Sequence, residues 1–254
     1  MMIRFPAVAL AIPILFAAAP ALAVELSGAL VSSTGTLPPA VKVVAQGESF
    51  GQSPIAGKVE GGRYLIQMPD TGRYHIVVRA EGWEAAPKLI WDPKTAGALD
   101  ILVYPAEVPE PALAAELIEM GSQERVKPGD RAREKRLGAI IDAKGWPSVS
   151  MVGYEAAAGA WTVVQHASPA FLKRCLPLMQ AAAGKQEINP QHLALSIDRA
   201  RVEAGKPQVY GSQLRDGKGG KLEPYPIEDA AHIEARRAAM GMEPLADYLA
   251  RVGH

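Results

Sequence analysis

The stretch Gly62-Arg63-Tyr64-Leu65-Ile66-Gln67-Met68-Pro69-Asp70-Thr71-Gly72-Arg73-Tyr74-His75-Ile76-Val77-Val78-Arg79 decides how the first part of the chain folds. Two short runs rich in Tyr, Leu, Ile and Val flank a Pro-Asp-Thr-Gly step. In the second run Tyr74, Ile76 and Val78 share one side and His75, Val77 and Arg79 the other, the period of two of a strand with unlike faces. Proline presets φ and glycine tolerates a strained position, so Pro69 to Gly72 reads as a turn. Working outward, Leu26–Val31, Val41–Ala45, Lys88–Trp91 and Leu99–Tyr104 have the same character, with Gly, Pro, Ser and Asp between them. No helical period intervenes. Residues 24–105 are therefore expected to form an all-β sandwich of about seven strands.

The period then changes. Pro105 to Pro111 holds three prolines and two glutamates, a stiff polar hinge expected over residues 106–112. Residues 113–254 read as a mainly α-helical domain. Leu113, Leu117, Ile118 and Met120 share a helical face, with Gly121 read as a stop. Asp130 opens the next helix, which ends at Gly145. Glu155–His166 and Pro169–Ala183 form a pair broken by Ser168-Pro169, a cap followed by a first-turn proline. Asn189-Pro190 repeats that signal for a helix ending near Gly205. Gln208–Gln213 and Lys221–Tyr225 are expected to make a β-hairpin across the glycine-rich tip Asp216 to Gly220, and Asp229–Met240 and Pro244–Val252 two closing helices.

The first 23 residues read as a removable export leader. Arg4 supplies a positive flank, Phe5 to Ala19 is almost wholly apolar, and Ala21-Leu22-Ala23 offers the small-x-small step cleaved by a signal peptidase. A retained anchor is the competing reading, since about 20 apolar residues span a bilayer; Pro6, Pro13 and Pro20 weaken a continuous spanning helix. The expected location is periplasmic or secreted, with no membrane span in the mature chain. Cys175 is the single cysteine, so no intramolecular disulfide is available. The full chain carries 27 basic and 27 acidic residues. Loss of Arg4 with the leader leaves 26 against 27, a net of −1. Nothing there resembles the positive groove that nucleic acid requires.

Two resemblances follow from particular residues. Gly28, Pro38-Pro39, Gly62-Arg63-Tyr64-Leu65, Gly72-Arg73-Tyr74-His75-Ile76 and Gly82-Trp83 resemble the carboxypeptidase regulatory-like (transthyretin-like) sandwich, which implies an accessory module without catalytic residues. Gly145-Trp146-Pro147, Val152-Gly153, Gln165-His166-Ala167, Asp198-Arg199, Pro207-Gln208-Val209-Tyr210-Gly211-Ser212-Gln213 and Arg236-Arg237 resemble a bacterial family of unknown function. Ser212 stands where that family tends to show threonine, and charged residues follow Asp130 where an asparagine is expected.

The candidate chemistry lies in this second half. His166 ends an apolar helix, and imidazole titrates near neutrality, so it is either a proton-transfer group or a cap on the last carbonyls of its helix. Asp198 and Arg199 are neighbours about 100° apart on a helix. They serve either a site or two separate salt bridges. Gln208, Tyr210, Gln213 and Arg215 collect amide, phenol and guanidinium groups on the expected hairpin, fit either to recognise a polar ligand or to satisfy their own backbone. Two functions are carried forward. One is a binding protein of the cell envelope, taking a polar small molecule, peptide or glycan with Gln165, Arg199, Tyr210, Gln213 and Arg215. The other is a hydrolase or transferase with His166 as general base oriented by Asp198. No metal site or cofactor is expected: no two histidines sit at i,i+4 on one helix. Cys175, among leucines, reads as a small buried hydrophobe.

Overall fold

The computed structural model describes residues 23–49, 52–217 and 221–252. Nearly all of the expected leader, Gly219 and Gly220 of the hairpin tip, and His254 lie outside these residues. The described chain is a two-sheet β region followed by a helical region with a β-hairpin.

The β region holds strands β1 (Ala23–Ser32), β2 (Lys42–Gly47), β3 (Ile55–Ala56), β4 (Lys58–Glu60), β5 (Arg63–Pro69), β6 (Tyr74–Arg79), β7 (Trp83–Ala85), β8 (Lys88–Ile90) and β9 (Ile101–Pro105). One sheet runs β4-β5-β1-β9-β7 and the other β3-β2-β6-β8. The turn after β5 carries the chain from the first sheet to the second, with Gly72 at a φ of 99° that other residues rarely adopt. Leu26, Tyr64, Ile66 and Met68 of one sheet meet Val43, Ala45, Tyr74 and Ile76 of the other in a single apolar core. Strands β3, β4 and β7 escape the sequence reading: two or three residues are too few to display a period, and none has an apolar run like the Leu89-Ile90-Trp91 that marks the equally short β8.

Strand β9 joins the two halves. Ile101 and Val103 point into the sandwich core, while Leu102 and Tyr104 belong to the core of the helical region. The strand is buried on both faces, as its unbroken apolar run Ile-Leu-Val-Tyr allows. The proline-rich segment that follows is pinned at several points: Ala106 N–H donates to Gly82 O at 2.9 Å, and Lys144 pairs with Glu110 at 2.6 Å.

The helices are α1 (Pro111–Val126), α2 (Arg131–Lys144), α3 (Val149–Val152), α4 (Tyr154–His166), α5 (Pro169–Ala183), α6 (Pro190–Glu203), α7 (Ile233–Ala239) and α8 (Leu245–Val252). Asp130, Ser168 and Asn189 cap α2, α5 and α6 through their side chains. Gly121 is not a stop: α1 runs through it for another turn, because the missing side chain is needed for packing against α4. The hairpin is also shorter than expected. Strand β10 (Leu214–Asp216) pairs with β11 (Leu222–Pro224), and Gln208–Gln213 forms a loop instead of a strand.

Candidate functional site

Asp198 organises that loop. Its side chain is 0% exposed on the inner face of α6, and its carboxylate accepts from the backbone N–H groups of Val209 (2.7 Å), Tyr210 (3.0 Å) and Ser212 (3.0 Å). The Ser212 hydroxyl adds a fourth donor at 2.9 Å. Gly211, at φ 71°, lets the chain curl so that these groups converge. Gln208 is equally buried. Its Nε2 donates to Gln213 O and Tyr225 O, and its Oε1 accepts from Gln213 N–H at 2.8 Å. From the far side, buried Arg237 donates to Tyr210 O (2.6 Å) and Glu243 O (2.7 Å). Burial lowers its guanidinium pKa from the usual value. Tyr248 donates to Ser212 O at 3.0 Å. Burial, then the Asp198 charge, raises the Tyr210 phenol above its ordinary pKa. Arg215 pairs across the hairpin with Glu223 at 2.9 Å. The Pro-Gln-Val-Tyr-Gly-Ser-Gln motif is thus a loop locked to its own domain.

Arg199 and His166 meet at the end of α4, with roles unlike those expected. The Arg199 guanidinium donates to the carbonyls of Gln165 (2.6 Å), Val164 (3.2 Å) and Ala167 (2.7 Å) and pairs with Glu203 at 2.9 Å. It caps α4, leaving His166 without that task. Gln165 buries its Oε1 with no partner among the described residues. Asp198 is spent on the loop, so it does not orient His166. The imidazole instead lies with Nδ1 3.7 Å from Oε1 of Glu124, a side chain only 1% exposed. Glu124 also accepts from Gly129 N–H and, at 2.5 Å, from Arg133 Nε. It was legible as a carboxylate on the apolar stripe Leu113, Leu117, Met120, Glu124. Cys175 is buried, and desolvation pushes its thiol up to about 12, which removes it as a nucleophile.

A prominent concavity lies elsewhere, at the seam of the two regions. A cleft of about 750 Å³ opens between Lys88–Ile90 with the loop to Asp100 on one wall and the α5–α6 turn with α7 on the other. A second hollow of about 340 Å³ adjoins it through Leu89, Ile90, Thr95, Ala96, Ala238 and Gly241. Its walls are tied by Trp91 Nε1 donating to Gly241 O at 3.0 Å and by Arg73 with Asp247 at 3.3 Å. None of the seven residues singled out from the sequence lines it. Lys88 and Gln186 do. Burial lowers the Lys88 pKa, opposed by Asp100. Gln186 sits in left-handed backbone at φ 60°, with its Oε1 buried and without a partner among the described residues.

Residues 115–253 match a family of unknown function, DUF6624. The chain belongs to it. No curated protein and no solved structure matches the chain. The DUF6624 span takes in the Asp198 loop, the Glu124–His166 contact and the α5–α6 and α7 wall of the cleft. The β region, which supplies the opposite wall, has no family match. The cleft is therefore built half from DUF6624 residues and half from what precedes them. Clustered polar groups are what a sequence reading finds, whereas much of this cleft is lined by alanines and other small residues, with only a few polar groups among them.

Proposed function

We propose that this is an exported cell-envelope protein that binds a ligand in the cleft between its two regions. The β region acts as an accessory module of the carboxypeptidase regulatory-like kind. The observation that carries the reading is the cleft itself: large, mostly apolar, and furnished with a few polar groups, the usual composition of a small-molecule site. The earlier candidates Gln165, Arg199, Tyr210, Gln213 and Arg215 then serve as framework, with the binding surface displaced to Lys88, Gln186 and the α7 face. Export rests on the leader pattern, and Edman sequencing of the mature protein should begin at Val24. A thermal-shift screen of envelope metabolites tests the cleft. Ala238 lines both hollows, so Ala238→Phe should fill them and cancel any shift seen with the unmodified protein. A shift that survives this substitution places binding elsewhere.

A second reading, a hydrolase or transferase, draws on one contact. A part-exposed imidazole beside a buried carboxylate is the arrangement of a general base and its orienting partner. In this reading Glu124 takes the place first given to Asp198. Ester and phosphoester substrates, assayed with the parent protein and His166→Ala, test it; turnover indifferent to that substitution removes His166 from any catalytic role.

A further inference from the structure

The polar groups of the cleft are few enough to indicate what kind of molecule it suits. Lys88 shares its strand face with Ile90, which is buried in the sandwich core, and is itself partly buried in the cleft wall. Among the described residues no carboxylate comes within ion-pairing distance of it. The other charged group of the lining, Asp100, is exposed and accepts from Ala29 N–H at 2.8 Å. Opposite Lys88 the first turn of α6 (Asn189, Pro190, Gln191) forms part of the wall, and the start of a helix carries partial positive charge. Lys88 and the start of α6 therefore favour an anion between them, opposed on the Lys88 wall by the single carboxylate of Asp100. Between them lie Leu89, Ile90, Ala96, Ala238 and Met240, which favour an apolar body.

Gln186 adds a separate indication. Glu187 N–H donates to Ala182 O at 2.9 Å and Gln186 N–H to Ala183 O at 3.0 Å. This is the paired bonding that ends a helix with a left-handed residue, a position glycine normally fills. A glutamine there costs stability that glycine would not. The turn is fixed from outside as well, since the Glu187 carboxylate accepts from the backbone N–H and hydroxyl of Ser150 at 2.8 and 2.6 Å. The fold thus holds a strained residue in the cleft wall, its amide oxygen buried and, among the described residues, without a partner, and strain of this kind collects where a side chain is needed for recognition.

We propose that the cleft takes a small amphipathic anion, with its acid group at Lys88, its apolar body along the alanine-rich α7 wall, and a polar linking group met by the Gln186 amide. This rests on the reading of the cleft as a binding site. N-octanoylglycine has this build, and N-octanoylglycinamide is its uncharged counterpart. By isothermal titration the unmodified protein should prefer the acid by about tenfold, the size of a charge-assisted contact. Lys88→Met should erase that preference by weakening the acid alone. Gln186→Gly should weaken both ligands while raising Tm by about 2–4 °C, as expected for relief of one strained residue in a chain of this size. Ala238→Phe should abolish binding of both. Equal binding of acid and amide, still blocked by Ala238→Phe, would overturn the anion assignment and keep the cleft. Binding of neither compound overturns it too, with the wider screen then deciding the fate of the cleft alone.

Discussion

Gly121 of α1 and Gly159 of α4 pack backbone against backbone. A Cβ on Gly121 would fall 2.5 Å from the Gly159 Cα, and one on Gly159 would fall 2.2 Å from the Leu117 carbonyl oxygen. Exposed helical glycine changed to alanine gains about 1 kcal/mol from backbone entropy. Forcing a methyl into a closed helix contact costs roughly 1–3 kcal/mol or more, and here the obstacle is backbone that cannot swing aside. The second effect wins. Gly121→Ala and Gly159→Ala should each lower stability by about 2 kcal/mol, read as a lower urea midpoint by far-UV circular dichroism. A midpoint that stays or rises would mean the two helices can part at little cost.

Asp198 holds four donors with one carboxylate. Asp198→Asn keeps the volume but turns an NH2 group toward N–H groups that need an acceptor. Leaving such buried donors unpaired costs about 3 kcal/mol or more. Tm should fall by at least about 6 °C, and the amides of Val209, Tyr210 and Ser212 should exchange with deuterium faster than in the parent. Unchanged protection at those three amides would mean the loop is held by Gln208 and Arg237 without it.

These two sites mark where the sequence can and cannot be read. The caps Asp130, Ser168 and Asn189 were legible because a cap bonds residues two or three positions away, within the same stretch of text. The strands of five or more residues were legible from alternation or, in β9, from an unbroken apolar run. Gly121 was misread because a local stop signal and a demand for close helix packing leave the same letter. Asp198 was recognisable as special, but its partners are backbone N–H groups of a distant loop, which have no letter of their own. The cleft was invisible: Lys88, Gln186 and Ala238 become neighbours only when three remote segments are folded together.

Arg199, and not His166, should carry the stability of the α4 end. Three carbonyls share its guanidinium, and a lysine cannot reproduce that planar fork. Arg199→Ala should cost about 2 kcal/mol, with little rescue by Arg199→Lys, whereas His166→Ala should cost less than about 0.5 kcal/mol. Chemical denaturation of the three variants separates the roles; a larger loss from His166→Ala would return the cap to the imidazole.

His192 should give the protein an acid-sensitive step. Its ring stacks on Trp161 with centroids 3.8 Å apart and planes 2° from parallel, and burial lowers its pKa from 6.5 to about 4. Between those two values the unfolded chain binds a proton that the folded chain refuses, so stability falls as pH drops through that window and levels off below it. The full effect is on the order of 3 kcal/mol. Urea midpoints taken from about pH 7 down to about pH 4.5, above most carboxylate titrations, should show this slope. His192→Phe keeps a flat ring against Trp161 but cannot take up the proton, so its midpoints should vary less over the same range. Parallel curves for the parent and His192→Phe would mean that His192 is protonated as readily in the folded protein as in the unfolded chain.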